Sequence, residues 1–475
     1  MWAWRAAGAA AAACALLNAC GGGDGSGGTP PPPTGLSARA LAGQALFFDK
    51  TLSASGQQSC GTCHVPARAF TADPATDHGL PVPLGGRSMD LPGFRNTPSL
   101  LYTRFTPAFF LDDDTPTGGF FRDGRASSLA VQAEQPFVSE FEMANQDAAE
   151  VSARLQASSA TLQLFVAAFG TAVLSDPEAT LAAIGSALAA FETEDPRFAP
   201  FSSKFDAWLD GQVALSSSEQ NGLALFNNPG KGNCTACHPS VSQGYSSHPL
   251  FTDFTYDNIG VPRNWSIPAN LPDPKSPVSG VPLDYLPAPL NVPADAEYAY
   301  YDLGLCGPFA PPANDPNPRP DLSHSSWLCG QFKVPTLRNV AITAPYFHNG
   351  ALPTLHKLVQ FYVTRDINNN TGNNPYAVPA GPGGNPYQAV GTFFLAAEGT
   401  PDLYQYNDLP VLWDGNVNVG ETPYTLPTFA GGNAPTLTAA EIDDLVAFLC
   451  TLTDGFDPQN PGSYNVPAQC APGAE

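Results

Sequence analysis

Basic residues are scarce in this chain. Twenty Lys and Arg stand against 43 Asp and Glu in 475 residues, giving a net charge of −23 with only 13% charged residues. Nucleic-acid binding needs a basic surface and is excluded on this balance. The acidic surplus serves solubility first, and it would also attract a basic redox partner. Long apolar runs are scarce too: beyond the N-terminal segment, nothing approaches the about 18 consecutive apolar residues of a membrane span. Methionine is nearly absent. The three are Met1, Met89 and Met143, so no residue after 143 can offer a thioether sulfur. Apolar residues are plentiful at 43%, enough for a packed core in a chain long enough for two or three domains.

Residues 1–20 read as a lipoprotein-type export signal. Arg5 gives the positive start, an Ala-rich apolar run reaches Leu17, and Leu17-Asn18-Ala19-Cys20 resembles a lipidation box with Cys20 as the first mature residue. Asn18 is unusual there, so simple cleavage to a soluble periplasmic product is the alternative. Residues 21–36, rich in Gly and Pro, form a tether without a core of its own. The expected location is periplasmic, lipid-anchored to a bacterial membrane.

Ten Cys and seven His are present, and Cys-x-x-Cys-His occurs twice: Cys60, Cys63, His64 and Cys234, Cys237, His238. Composition alone gives about 0.003 such matches per chain. The pattern is the attachment signature of c-type haem: two cysteines form thioethers and the adjacent histidine binds iron. Zinc pairs usually lack the fixed trailing histidine and lie closer together. Two covalently bound haem c groups are the expected cofactors. With Cys14 and Cys20 in the signal, Cys306, Cys329, Cys450 and Cys470 remain, and four cysteines in an oxidising compartment allow three pairings. Proximity in sequence favours Cys306–Cys329 and Cys450–Cys470.

The surroundings of the two motifs repeat. Gly43 to Phe47 precedes the first and Gly222 to Phe226 the second, the latter after a capping box at Ser216 and Glu219. Each half closes with a helix. Asp176 and Pro177 suit N-cap and N1, with Leu181, Ile184, Leu188 and Phe191 on one face. Thr438 and Glu441 form a capping box before the stripe Ile442, Leu445, Val446 and Leu449. Helix, haem motif and closing helix is the order of a small cytochrome c domain. The fold expected is mainly α, with two cytochrome c-type haem domains at 37–205 and 206–475. Two proline-rich stretches, 262–320 and 366–435, read as long irregular insertions in the second domain.

Further motifs sharpen this. Arg95-Asn-Thr-Pro-Ser-Leu100 follows the first haem site, then Phe121-Arg-Asp-Gly-Arg-Ala126, Gln132, Pro136 and Glu142-Met143. The second half holds Phe332-Lys-Val-Pro-Thr-Leu-Arg-Asn339 and Thr343-Ala-Pro-Tyr-Phe-His-Asn-Gly350. With these the chain resembles the bacterial dihaem cytochrome c peroxidase and MauG superfamily, from about Leu36 to Gly455. The resemblance implies a peroxidatic N-terminal haem, with Glu142 as acid/base and Gln132 and Pro136 lining its distal pocket. Some members close that haem with a distal histidine eight residues before the Asn of the first motif. Here that position is Ser88, and the nearest histidine, His78, lies too far upstream, so an open haem with His64 as sole protein ligand is expected. Peroxidases bind the second haem through a methionine fourteen residues after the motif histidine. From His348 the count reaches Tyr362, the residue type that MauG-like members carry; a phenolate stabilises Fe(III). The alternative for Tyr362 is a packed helix aromatic beside Leu355 and Leu358.

The resemblance also implies an interdomain Ca²⁺ held by Asn96 and the carbonyls of Thr343 and Pro345, a set of oxygen donors that suits this ion. Arg122 occupies the place of the family's bridging tryptophan, leaving either another aromatic, such as Phe121, or direct tunnelling to join the haems. His348 is expected near a haem propionate, and His248, His324 and His356 at the surface. The implied function is reduction of hydrogen peroxide with electrons from a small periplasmic cytochrome or copper protein. Two alternatives are a MauG-like dihaem enzyme that oxidises a protein partner, which Tyr362 favours, and a dihaem electron-transfer cytochrome without catalysis, which Glu142 disfavours.

Overall fold

A computed structural model describes residues 35–75, 78–284, 286, 300–365, 408–418 and 436–470. The signal segment, nearly all of the tether and most of 366–435 lie outside the described residues. The described residues fall within one compact unit. Regular structure in it is mainly helical: α1 Ala38–Phe48, α2 Cys60–Cys63, α3 Leu129–Val138, α4 Ala148–Ala157, α5 Ser159–Phe169, α6 Pro177–Glu194, α7 Lys204–Leu209, α8 Ser217–Asn227, α9 Leu355–Thr364 and α10 Ala439–Cys450. Among the described residues, strands occur as three short antiparallel pairs, one of them Tyr256–Asp257 with Phe332–Lys333.

The helix starts are set by local hydrogen bonding. Asp176 accepts from the Glu178 N–H at 3.0 Å ahead of Pro177, and Ser216/Glu219 and Thr438/Glu441 form reciprocal capping boxes. The predicted stripes face inward: Leu181, Ile184, Leu188 and Phe191 of α6, and Ile442, Leu445, Val446 and Leu449 of α10, are all buried. In each half the helix before the haem motif crosses the closing helix at a glycine. A Cβ on Gly43 of α1 would lie 2.0 Å from the Ala187 carbonyl oxygen of α6, and one on Gly222 of α8 would lie 2.0 Å from that of Asp444 in α10. Only glycine permits so close a crossing at these two places. Two principal cores result, one around Phe47, Phe137, Ile184, Phe191 and Phe198, the other around Phe226, Phe251, Ile442 and Phe448.

The described part of 262–320 contains a single 3-10 turn, Pro268–Asn270, yet it is firmly tied down. Buried Arg263 donates to the carbonyls of Asn270 and Tyr300, Asp302 pairs with Arg95 at 2.5 Å, and Asp315 accepts from the Ser127 N–H at 2.8 Å. Disulfides join Cys306–Cys329 and Cys450–Cys470, with Cα separations of 4.9 and 5.9 Å, the pairings that sequence proximity favours. No helix among the described residues is long and apolar enough to cross a membrane.

Candidate haem sites in a shared cavity

Both Cys-x-x-Cys-His segments are wound into one tight turn. The His64 N–H donates to the Cys60 carbonyl and the His238 N–H to that of Cys234, each at 2.8 Å. The four cysteines of the two motifs form no disulfide. The two imidazoles are held alike: Nδ1 of His64 lies 2.8 Å from the Phe70 carbonyl, and Nδ1 of His238 lies 2.8 Å from that of Phe251. A carbonyl can only accept, so Nδ1 carries the proton and Nε2 keeps its lone pair for a metal. Burial pushes His64 down to about 4 and lowers His238, so both rings are neutral, the form that binds iron. The same burial pushes the Cys60 and Cys234 thiols up to about 12.

One cavity of about 490 Å³ runs between the two motifs. Its wall includes Cys63 and His64 at one end and Cys234, Cys237 and His238 at the other. Paired thiols, an oriented neutral imidazole and a common cavity fit a c-type haem at each end. Gln132, Pro136 and Glu142 stand on the wall of the same cavity. Gln132 and Pro136 are one helical turn apart on α3, hence on one face, and Glu142 follows the helix. Burial raises the Glu142 carboxyl above the usual range, while the Ser139 side chain and the Arg125 guanidinium pull the other way. Ser88 and His78 are exposed and form no part of the wall; the wall histidines among the described residues are His64, His238 and His348.

Tyr362, on α9, lines the other end with Leu358 and Val359. Burial raises its phenol above the ordinary value. Asn96, Thr343 and Pro345 also meet the cavity. Asn96 Nδ2 donates to the Pro345 carbonyl at 2.6 Å, so this pair is closed by a hydrogen bond; Ca²⁺ would need the amide turned to present its oxygen. His348 stacks on Phe332 with ring centroids 3.7 Å apart, and its Nε2 lies 3.0 Å from Asp408 Oδ2. His248 and His356 sit 3.2 Å from the Asp210 and Asp443 carboxylates, and His324 is exposed.

The cavity also holds groups to which the sequence assigned no role. Arg95 bridges Asp123 at 2.7 Å and Asp302 at 2.5 Å; Arg125 pairs with Asp123 at 2.9 Å and lies 3.5 Å over the Phe121 ring. Burial opposes its ionisation, yet Arg125 and Arg95 hold Asp123 down to about 2. Arg122 donates from Nε to the Asn96 carbonyl at 3.1 Å, and burial beside Arg95 lowers it to about 10. Lys333 donates to the Gly119 carbonyl at 2.5 Å, and burial lowers it to about 7. The motifs Arg95-Asn-Thr-Pro, Arg122-Asp-Gly-Arg and Phe332-Lys carry this cluster, and its pairs join residues far apart in sequence.

Comparison with known proteins agrees with this arrangement. A family model described as di-haem cytochrome c peroxidase matches residues 37–214, and one described as RoxA-like, cytochrome c-like, matches 331–365. The chain is 38% identical to methylamine utilization protein MauG of Paracoccus denitrificans (strain Pd 1222) over 68% of this chain and 74% of that protein. It is 28% identical to cytochrome-c peroxidase IdrP2 of Denitromonas iodatirespirans over 76% and 81% of the two chains. The crystal structure of the diheme peroxidase BthA from Burkholderia thailandensis E264 superposes with a TM-score of 0.66 at 34% identity, covering 89% of this chain and 87% of that one.

Proposed function

The chain belongs to the di-haem cytochrome c peroxidase and MauG family, and from that premise we propose that it reduces hydrogen peroxide to water at the haem held by Cys60, Cys63 and His64. It is a peroxidase-type oxidoreductase with two c-type haems. When bound, each haem supplies an iron that exchanges electrons and can take an axial ligand. The single observation that supports the proposal is the wall of the shared cavity: it includes Glu142, Gln132 and Pro136 together with His64, and neither Ser88 nor His78. On this reading the site is open to a small substrate.

Glu142 is the proton carrier. Its carboxylate would take the proton of one peroxide oxygen and return it to the other, so that the O–O bond breaks with loss of water; two donor electrons and two further protons then turn the remaining oxygen into a second water. Arg125 sits beside it, paired to Asp123, and favours the charged carboxylate. Gln132 and Pro136 hold the substrate against that carboxylate. Phe94, Phe141 and Phe309 pack around this end and keep bulk water out. At the other end Tyr362 and His238 would hold the second haem, and a small periplasmic cytochrome or copper protein would supply the electrons. The net charge of −23 suits a basic donor. The same proposal includes haem domains at 37–205 and 206–475, their long irregular insertions, Ca²⁺ near Asn96, Thr343 and Pro345, and periplasmic export with a lipid anchor at Cys20. One observation favours a second reading. Tyr362 lines the haem cavity where a methionine would serve an ordinary peroxidase, which supports a MauG-like enzyme that oxidises a protein partner.

Turnover decides between catalysis and mere electron transfer. The holoprotein should consume hydrogen peroxide with a reduced small cytochrome or copper protein, two electrons per peroxide. Exchange of electrons with the donor but no peroxide consumption would sink the proposal.

A further inference from the structure

Arg122 stands where the family's bridging tryptophan would be, and a guanidinium cannot serve as an electron relay. The path between His64 and His238 offers another group. The Phe70 carbonyl that holds His64 belongs to a residue whose ring stacks on Phe198 at 4.3 Å, and the Phe198 carbonyl accepts the Tyr102 N–H at 2.7 Å. From the other side, the Phe251 carbonyl that holds His238 also accepts the Leu337 N–H at 3.3 Å, and the next residue, Arg338, lies 4.9 Å over the Tyr102 ring. Tyr102 is therefore packed within a few residues of both imidazoles. It is 2% exposed and stands on the wall of the shared cavity.

Its hydroxyl is placed unlike those of its neighbours. The hydroxyl of Tyr256 donates to the Gly118 carbonyl, and that of Tyr346 faces the Val340 carbonyl and the Gln469 amide oxygen; none of these is a base that takes a proton. That of Tyr102 donates to both oxygens of Asp454, at 2.8 and 3.0 Å, and accepts the Phe201 N–H at 3.1 Å. Asp454 is fixed in turn by Asn339 Nδ2 at 2.6 Å and the Ser202 N–H at 2.9 Å. Arg338, itself paired with Asp206 at 2.8 Å, disfavours any positive charge on the ring below it. Oxidation of this phenol must therefore be coupled to loss of its proton, and a hydrogen-bonded carboxylate is the acceptor that step requires.

The geometry points to Tyr102 as a redox-active relay between the two haem sites, with Asp454 as the base that takes and returns its proton. The inference rests on the peroxidase reading, in which hydrogen peroxide oxidises the first haem site. One electron leaves the Tyr102 ring for that oxidised site while the phenolic proton crosses to Asp454, leaving a neutral phenoxyl radical. One electron from the second haem site then reduces the radical and the proton returns. Each cycle moves one electron between the sites and restores Tyr102. Burial and the Asp454 charge raise the phenol, so the proton stays on it at rest; burial also raises Asp454, making it a stronger base than a solvated carboxylate.

Freeze-quench EPR of the holoprotein mixed with hydrogen peroxide, without donor, tests this. An organic radical signal is expected, narrowed when the protein carries ring-deuterated tyrosine. It should be lost in Tyr102→Phe, which keeps the ring and its packing, and lost in Asp454→Asn. It should persist in Tyr346→Phe. The haem optical response to peroxide should survive in all three variants. An unchanged signal in Tyr102→Phe, or no radical in wild type although its haem spectrum responds, overturns the relay and leaves the peroxidase reading standing. A wild-type haem spectrum indifferent to peroxide overturns both.

Discussion

Replacing Glu142 with Gln removes one property from the cavity and leaves the rest. The amide has the size of the carboxyl. Glu142 stands on the wall and its backbone bonds, from its own N–H to the Ser139 carbonyl at 3.1 Å and from the Gly86 N–H to its carbonyl at 2.8 Å, do not involve the side chain. Haem attachment and folding should therefore be unchanged. What is lost is a group that can accept and return a proton. A positioned acid/base contributes about 10²–10⁴-fold in rate, or roughly 3–5 kcal/mol of barrier. Stopped-flow mixing of the ferric holoprotein with peroxide should show the second-order rate constant falling by about that factor. The pH profile adds a sign. The ionised carboxylate is the active base, and burial raises its titration above the about 4.3 of a solvated glutamate. The wild-type rate should thus decline on acidification from a higher pH than a solvated group would give. Arg125→Gln, which removes the cation favouring the carboxylate, should move that limb further up. A Glu142→Gln protein with the wild-type rate, or one that keeps the acid limb, refutes the assignment.

Tyr362→Phe should change the low-spin EPR signal of the second haem while both haems remain attached, and an unaltered signal removes tyrosine ligation. Gly222→Ala drives a methyl group to 2.0 Å from the Asp444 carbonyl oxygen, so α8 and α10 must separate; overpacking of this kind costs about 1–3 kcal/mol and should lower the melting temperature of the holoprotein. Gly43→Ala should do the same at Ala187. Two variants that melt with wild type contradict the close crossings.

What the sequence made legible is local. The capping pairs Ser216/Glu219 and Thr438/Glu441 act within one turn, so the helices they start could be placed from spacing alone. The haem motifs are equally compact, since the bond from the His64 N–H to the Cys60 carbonyl closes inside the motif. The less legible features depend on distance. Arg95 meets Asp302, 207 residues away, and Tyr102 meets Asp454, 352 residues away. His348 is oriented by Asp408, 60 residues on. Residues 262–320 look irregular in sequence because no periodic stripe orders them; among the described residues of this stretch, buried Arg263, the Arg95 pair and a disulfide do so instead. A cavity shared by two motifs 174 residues apart has no sequence signature at all.

The most direct measurement is a peroxide titration of the resting ferric holoprotein followed by optical absorption and EPR. A high-spin signal from the haem beside Glu142 should be present at rest and disappear on addition of peroxide without prior reduction, while the low-spin signal of the haem beside Tyr362 is present from the start. A purely low-spin resting protein that ignores peroxide until it is reduced would contradict an open first haem and the function proposed for it.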